Sequence, residues 1–195
     1  RDVLIIFNLK TFFFFVYKNK TIFKNKTVWH GCMRVIIVTG TPGTGKTALS
    51  KKLSKKLAFR YLDVGSIIKK YNFSEGYDEK RKTHIVDTKK LNRELVKEIM
   101  NCKKTEKGVI IDSHLSHYLP KKYVDLCIVT KCNLRVLEKR LRKKKYFKAK
   151  IRENMDVEIF DVCLNEAKEN KHKIFIVDTT KGINIEKISD SVEIL

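Results

Sequence analysis

The sequence contains few of the residues that punctuate loops or cross-link chains. Its 195 residues include 2 Pro, 8 Gly and 5 Cys, and no two cysteines stand in a CxxC spacing. So little Pro and Gly excludes collagen-like and low-complexity chains. The cysteine pattern indicates neither a disulfide framework nor a zinc site with the usual ligand spacing. The sequence therefore predicts a globular protein of a reducing, cytoplasmic compartment.

Acidic residues are also scarce. The chain has 22 Asp and Glu against 43 Lys and Arg, which gives a formal net charge of +21. A positive field of this kind attracts polyanions such as nucleotides, RNA or an anionic membrane surface. A Lys-rich composition is equally a habit of hyperthermophile proteins. Composition alone leaves the cause of the charge open.

A long apolar run is missing as well. The first 32 residues hold 6 of the 11 Phe, but the apolar stretch at 3–16 spans only 14 residues, short of the roughly 18–20 that a spanning helix needs. No Ala precedes Ala48 to form a signal-peptide cleavage site. We interpret residues 1–32 as an atypical extension outside the natural protein, which would begin at Met33. A membrane-surface or targeting segment is the alternative, and no stable membrane association is expected.

From Met33 onward, short β-branched runs alternate with helical periods. The predicted strands are 34–39, 108–112, 125–130 and 173–178, with a weaker one at 60–63. The helical periods lie at 49–57, at 91–99 behind the N-cap Asp87, at 134–141 behind the N-cap Asn133, and at 151–162. This alternation predicts one α/β domain over 33–195, with a parallel sheet and helices on both faces.

Residues 40–47 read GTPGTGKT, a full GxxxxGK(S/T) match placed between the first strand and the first helix. In such a loop the backbone N–H groups surround phosphate oxygens at the helix N-terminus. Lys46 is expected to reach the outer phosphates and Thr47 to ligate Mg²⁺. The loop predicts a nucleoside triphosphate site.

Two candidates follow the strand at 108–112. Asp112 ends this apolar strand, where a carboxylate can hold Mg²⁺ through water beside the loop. His114 falls at the carboxyl edge of the sheet, where open α/β folds bind ligands, and could orient water or an acceptor. A satisfied surface or capping role is the alternative for His114, and His117 follows it closely.

A basic segment spans residues 131–152. It contains 11 Lys or Arg and one acidic residue, for a net charge of +10. Phosphoryl transfer needs cations that close over the triphosphate. The candidate cations are Arg140, Arg142 and Lys144. The same segment could contact an RNA backbone, with Tyr146 and Phe147 as stacking faces, and a solvated helix face is the alternative.

Further motifs follow the loop in a characteristic order. They are Asp63-Val-Gly-Ser66, Gly76-Tyr-Asp78, Asp112-Ser-His114, the segment from Arg140 to Tyr146, and Glu153-Asn154 through Glu158-Ile-Phe160. With the loop, they resemble the isoenzyme-six type of adenylate kinase, a small archaeal and eukaryotic nucleotide kinase and ATPase that assists maturation of the small ribosomal subunit. The resemblance covers about residues 33–195.

The resemblance implies a P-loop NTPase of the nucleoside monophosphate kinase type. A five-stranded parallel sheet would carry a monophosphate-binding insert at about 64–87 and a short lid at about 143–153. The implied reaction transfers the γ-phosphoryl group of ATP, with Mg²⁺, to AMP or another nucleoside monophosphate, with ATPase activity besides. The implied partners are a small-subunit ribosomal protein and rRNA. An ATPase switch in ribosome assembly and a P-loop small-molecule kinase are the alternatives.

The resemblance also implies roles for single residues. The nucleotide-binding residues would be Gly43, Thr44, Gly45, Lys46, Thr47, Ala48, Lys144 and Lys181, with Lys181 near the adenine. The catalytic residues would be Lys46, Asp112, His114 and Arg140, and the metal ligands Thr47 and Asp112.

Three positions depart from the family pattern. Lys144 and Lys145 stand where the family has Arg and Gly in the lid, and Lys cannot make the bidentate contact of a guanidinium. Arg140 or Arg142 could carry that role instead. Lys69 stands where longer adenylate kinases have an Arg for the monophosphate, which weakens the expectation of tight AMP selectivity.

Overall fold

The computed structural model describes residues 33–78 and 83–194, together with Val16–Tyr17 and Lys20–Thr21. These two dipeptides are strands β1 and β2, which pair antiparallel. The chain divides into two compact units, Arg1–Gly31 and Cys32–Leu195. The interpretation of residues 1–32 as an extension outside the natural protein falls, apart from these two strands, on residues outside the described ones.

The second unit is built on a parallel sheet of five strands. The strands of this unit are β3 (Arg34–Gly40), β4 (Arg60–Asp63), β5 (Ser74–Asp78), β6 (Thr83–Val86), β7 (Gly108–Asp112), β8 (Leu126–Lys131) and β9 (Ile174–Asp178). All of them except β5 and β6 belong to the five-stranded sheet. The helices are α1 (Lys46–Leu57), α2 (Val64–Tyr71), α3 (Thr88–Cys102), α4 (Leu134–Lys143), α5 (Lys148–Ile159), α6 (Val162–Glu169) and α7 (Ile185–Ile194). The sheet order is β4-β7-β3-β8-β9, with every pair parallel. The predicted α/β fold class is confirmed.

The central strand β3 is buried on both faces because alternate side chains enter two separate cores. Ile37 packs in a cluster with Leu95 of α3, whereas Ile36 packs in a second cluster with Leu49 of α1. Both isoleucines are essentially inaccessible to solvent. The continuous β-branched run, rather than an alternating one, is the signature of such a doubly covered strand.

Two helices begin at the predicted N-caps. The Asp87 carboxylate accepts hydrogen bonds from the backbone N–H groups of Lys89 and Lys90, at 2.9 and 3.0 Å. The Asn133 side chain accepts one from the N–H of Arg135 at 3.0 Å. Each side chain satisfies N–H groups that the first turn leaves without helical partners.

The predicted helical period at 151–162 is divided in the structure. Helix α5 ends at Ile159 and α6 begins at Val162. Between them Asp161 adopts a left-handed conformation with φ of 52° and forms an ion pair with Lys131 of β8. The break turns the chain so that α6 packs on the sheet, and it leaves Ile159 half exposed.

Two segments branch from the sheet. Helix α2 and the antiparallel pair of β5 and β6 occupy the part of 64–87 that the structure describes. A turn at 144–147 joins α4 to α5. No helix in the described part of the chain is both long and apolar enough to cross a membrane.

Candidate active site

The loop at 40–47, hereafter the phosphate loop, connects β3 to α1 at the carboxyl edge of the sheet. Gly40 has φ of 135°, and a Cβ there would lie 2.5 Å from the carbonyl oxygen of Thr130 on β8. Gly43 has φ of 96°, and its Cβ would approach Leu137 to 2.9 Å. A side chain at either position would therefore be strained and would clash. The glycines let the loop turn tightly into the N-terminus of α1, the geometry that binds anions.

Lys46 lies in the first turn of α1 with its side chain buried in the site. Its Nζ donates hydrogen bonds to the carbonyl oxygens of Gly40 and Thr41, at 2.7 and 2.9 Å. Burial lowers the pKa of Lys46 to about 8; the Asp112 carboxylate opposes this effect and the Lys144 ammonium reinforces it. The Lys46 ammonium therefore places a buried positive charge directly beside the phosphate loop.

Asp112 stands at the end of β7, opposite Val38 of β3 and Asp63 of β4 in the register of the sheet. Its side chain is buried, and Oδ2 accepts a hydrogen bond of 2.9 Å from the Tyr61 hydroxyl. Burial, and then the Asp112 carboxylate, raise the pKa of Tyr61, so the phenol remains a donor. The carboxylate is thus fixed in orientation beside the phosphate loop.

The donor set fits Mg²⁺ better than a soft metal. The Thr47 hydroxyl is on an exposed residue of the first turn of α1, next to Ala48, and the Asp112 carboxylate ends β7. Both are hard oxygen ligands, and Mg²⁺ usually takes one or two from the protein and the rest from phosphates and water. Within the described residues, no cluster of three or more His, Cys, Asp or Glu could hold a metal by itself.

The two histidines after β7 have different surroundings. His114 is exposed at the rim, where desolvation by neighbouring protein atoms and then the Lys46 ammonium lower its pKa. An imidazole at that place can orient a water or an acceptor by a hydrogen bond. His117 is buried, with Nδ1 2.7 Å from Thr39 Oγ1 and Nε2 2.8 Å from Glu166 Oε2. His117 therefore has a structural role.

Arg140 is directed onto the loop after β9. Its Nη2 donates to the Thr179 carbonyl at 2.8 Å and its Nη1 to Thr179 Oγ1 at 3.2 Å. Thr179 in turn donates from Oγ1 to the carbonyl of Thr44 in the phosphate loop at 2.5 Å. The guanidinium is thereby connected to the phosphate loop through Thr179. The predicted contact of Arg140 with phosphate stays a prediction. Arg142 pairs with Glu138 one turn earlier on the exposed face of α4.

The turn between α4 and α5 carries Lys144 and Lys145, two of the three residues that depart from the family pattern. Lys144 is exposed at the end of α4 and within electrostatic range of Lys46. Lys145 has φ of 58°, a left-handed conformation that costs a non-glycine residue about 1 kcal/mol. The Gly expected here would adopt this turn without that cost. Lys181 is exposed beyond the edge strand β9, and its contact with adenine stays a prediction.

Glu158 is a residue of the site to which the sequence motifs assign no role. It is 5% exposed, and its Oε2 accepts a 2.5 Å hydrogen bond from the Thr41 hydroxyl of the phosphate loop. Its Oε1 accepts from the Cys132 N–H at 2.9 Å. Two signals point to Glu158 in the sequence: it belongs to the Glu158-Ile-Phe160 motif, and it falls seven residues after Ile151, which places both on the same helix face.

Comparison with known proteins agrees with this geometry. The family model described as "AAA domain" matches residues 36–161. The "Putative adenylate kinase" of Methanocaldococcus jannaschii is 38% identical over 157 residues, which are 80% of this chain and 82% of that protein. The "Adenylate kinase isoenzyme 6 homolog" of Caenorhabditis elegans is 30% identical, with 81% and 85% covered. The "Adenylate kinase isoenzyme 6 homolog FAP7" of Saccharomyces cerevisiae is 33% identical, with 80% and 77% covered.

A solved structure supports the fold independently. A sugar kinase from Janibacter sp. HTCC2649 superposes with a TM-score of 0.52 at 15% identity, covering 82% of this chain and 92% of that one. At this identity the likeness concerns the α/β architecture alone.

Proposed function

The chain belongs to the adenylate kinase isoenzyme 6 family, and on that premise we propose that it transfers the γ-phosphoryl group of ATP to AMP or another nucleoside monophosphate. The observation that carries the proposal is the convergence of Lys46 and Asp112 at one phosphate loop. We also propose the cytoplasmic location that the cysteine pattern predicts.

In the proposed reaction an oxygen of the acceptor phosphate attacks the γ-phosphorus, and the bond to the bridging oxygen breaks to release ADP. The N–H groups of the phosphate loop and the Lys46 ammonium would hold the charged oxygens in line and stabilise the transition state. Thr47 and Asp112 would hold Mg²⁺, directly and through water. When bound, Mg²⁺ supplies neutralisation of the β- and γ-phosphate charge.

The test is a panel of nucleoside monophosphates at saturating ATP and Mg²⁺, with ADP and inorganic phosphate measured separately. The proposal expects ADP formation that depends on the monophosphate and exceeds the release of inorganic phosphate. Phosphate release that is equal with and without acceptors would contradict it and favour the ATPase switch. Transfer to a sugar or cofactor precursor alone would favour the small-molecule kinase.

ATP hydrolysis is the second candidate activity, and the position of His114 at the rim favours it. An imidazole two residues after Asp112, at the carboxyl edge of the sheet, can orient an attacking water by a hydrogen bond. We therefore expect His114→Ala to reduce hydrolysis about tenfold or more and to reduce transfer to a monophosphate less. Steady-state rates with and without acceptor measure both. Equal and negligible effects would return His114 to a surface role.

We further propose that rRNA and a small-subunit ribosomal protein are partners of this protein. The RNA would bind to the basic segment at 131–152, which includes most of the predicted lid. The segment 131–152 has a net charge of +10, more than a triphosphate requires. Tyr146 and Phe147 lie within this segment and are 36% and 38% exposed. Changing Lys143, Lys145 and Lys148 together to Gln should weaken RNA binding and flatten its salt dependence, because fewer counterions are released.

The matched control for this lid variant replaces Lys51, Lys52 and Lys55 by Gln. These residues are exposed on α1, so the loss of charge is the same at another place. The measurement is RNA affinity by filter binding or anisotropy across a salt series. If the lid variant keeps the affinity and slope of the parent, the lid lysines only face solvent.

A further inference from the structure

Helices α4 and α5, which flank the predicted lid turn, both contact the phosphate loop. We call α4, the turn at 144–147 and α5 the lid hairpin. Its contacts with the loop are Glu158 to Thr41, Leu137 and Leu141 to Gly43, and Arg140 through Thr179 to Thr44. Three of the first five loop positions are thus held by the element that carries the lid.

The contact between Glu158 and Thr41 is the polar one, and it is buried on both sides. Thr41 is 1% exposed and Glu158 is 5% exposed. The carboxylate has partners at both oxygens, and the Lys131 ammonium stands 3.4 Å from Oε1. A buried carboxylate is tolerated only where its oxygens are bonded and its charge is balanced. Glu158 meets this condition by bonding to the phosphate loop.

The lid hairpin connects the lid turn to the phosphate loop through packed helices. Helix α5 starts at Lys148, directly after the lid turn, and carries Glu158 near its other end. Ile151 of α5 packs with Leu137 and Leu141 of α4 in one buried cluster. Since packed helices shift as units rather than deform, a change in the lid turn reaches Thr41 through Glu158.

We propose that Glu158 is a positioning residue that couples the order of the lid to the conformation of the phosphate loop through its hydrogen bond with Thr41. The inference rests on the proposed function for the identity of ATP as the ligand. Because such coupling is reciprocal, bound triphosphate should order the lid, and loss of the contact should weaken both triphosphate binding and lid ordering.

The experiment measures two quantities with a non-hydrolysable ATP analogue and Mg²⁺. One is the Kd of the analogue, and the other is the rate of tryptic cleavage at the lid lysines Lys143, Lys144 and Lys145. In the parent the analogue should slow this cleavage. Thr41→Val removes the buried hydroxyl and keeps the shape; it should raise Kd about tenfold, the size of one charge-assisted hydrogen bond, and abolish protection at saturation.

Further variants identify the contact as the cause. Glu158→Gln removes the charge of the acceptor and should act in the same direction as Thr41→Val. The double variant should bind the analogue no more weakly than the weaker-binding single variant, because both changes act on the same interaction. Thr41→Ser restores the hydroxyl and should restore parental values. Glu169→Gln is the matched control, since it makes the same change on an exposed residue of α6 and should leave both readouts unchanged.

The outcomes separate this inference from the proposed function. A parent that does not bind the analogue would defeat the proposed function. A parent that binds, with Thr41→Val folded and unchanged in Kd or still protected at saturation, would overturn the coupling alone. Additive effects in the double variant would overturn it as well. Melting temperature verifies folding, and Thr41→Val keeps the test decisive if Glu158→Gln does not fold.

Discussion

Lys46→Met is expected to lower both phosphoryl transfer and ATP hydrolysis about a thousandfold while leaving the protein folded. The ammonium is buried beside the phosphate loop, where low dielectric strengthens its effect on charge that develops in the transition state. Methionine keeps the length of the side chain and removes the charge. Coupled assays of ADP and phosphate release measure the loss.

The Lys46→Met protein should lose activity without losing thermal stability. The pKa of Lys46 is about 8 in the folded protein against an ordinary 10.5, so folding weakens proton binding and the charged form costs stability at neutral pH. That cost is present in full below pH 8 and disappears as the pH rises toward 10.5. Removing the charge should leave the melting temperature at pH 7 unchanged or higher, although two hydrogen bonds are lost.

Lys52→Met is the control for this prediction. Lys52 lies on the exposed face of the same helix, and its loss should affect neither activity nor melting. A Lys46→Met protein that keeps more than a tenth of parental turnover would contradict the assignment. So would one whose circular dichroism shows loss of cooperative unfolding, because the effect on activity would then follow from the fold.

The sequence predicts the parts of this molecule that depend on local pattern. The continuous β-branched run that becomes β3 requires burial on both faces, and the structure places it at the centre of the sheet. Asp87 and Asn133 cap the predicted helices because their side chains reach N–H groups two or three residues ahead. The phosphate loop follows from eight contiguous residues and their place between a strand and a helix.

Contacts between distant residues could not be predicted in the same way. Thr41 and Glu158 are 117 positions apart, and Thr39 and His117 are 78 apart. No periodicity connects such pairs, because tertiary packing alone decides which polar side chains meet. Arg140 is the clearest example. Its helix is predicted from the sequence, yet its bond to Thr179, 39 positions away, depends on where the loop after β9 meets α4.

Asp112→Asn is expected to lower Mg²⁺-dependent activity about 10- to 100-fold and to raise the Mg²⁺ concentration needed for half-maximal rate. Asparagine keeps the shape of the side chain and can still accept the hydrogen bond from Tyr61. The change therefore tests the effect of the negative charge alone. In the proposed function this charge holds Mg²⁺ through water. Initial rates across a Mg²⁺ titration at fixed ATP measure both effects.

Two controls separate the charge of Asp112 from its surroundings. Tyr61→Phe removes the 2.9 Å hydrogen bond and keeps the carboxylate, so it should cost far less activity and leave the Mg²⁺ requirement close to the parent. Asp125→Asn makes the same substitution before β8, where the carboxylate accepts from the Val35 N–H at 2.7 Å. It should reduce stability by about 1 kcal/mol without changing the response to Mg²⁺. If Asp112→Asn instead follows the parental Mg²⁺ curve, the carboxylate at the end of β7 orders the sheet edge through Tyr61 and the metal is held by other groups.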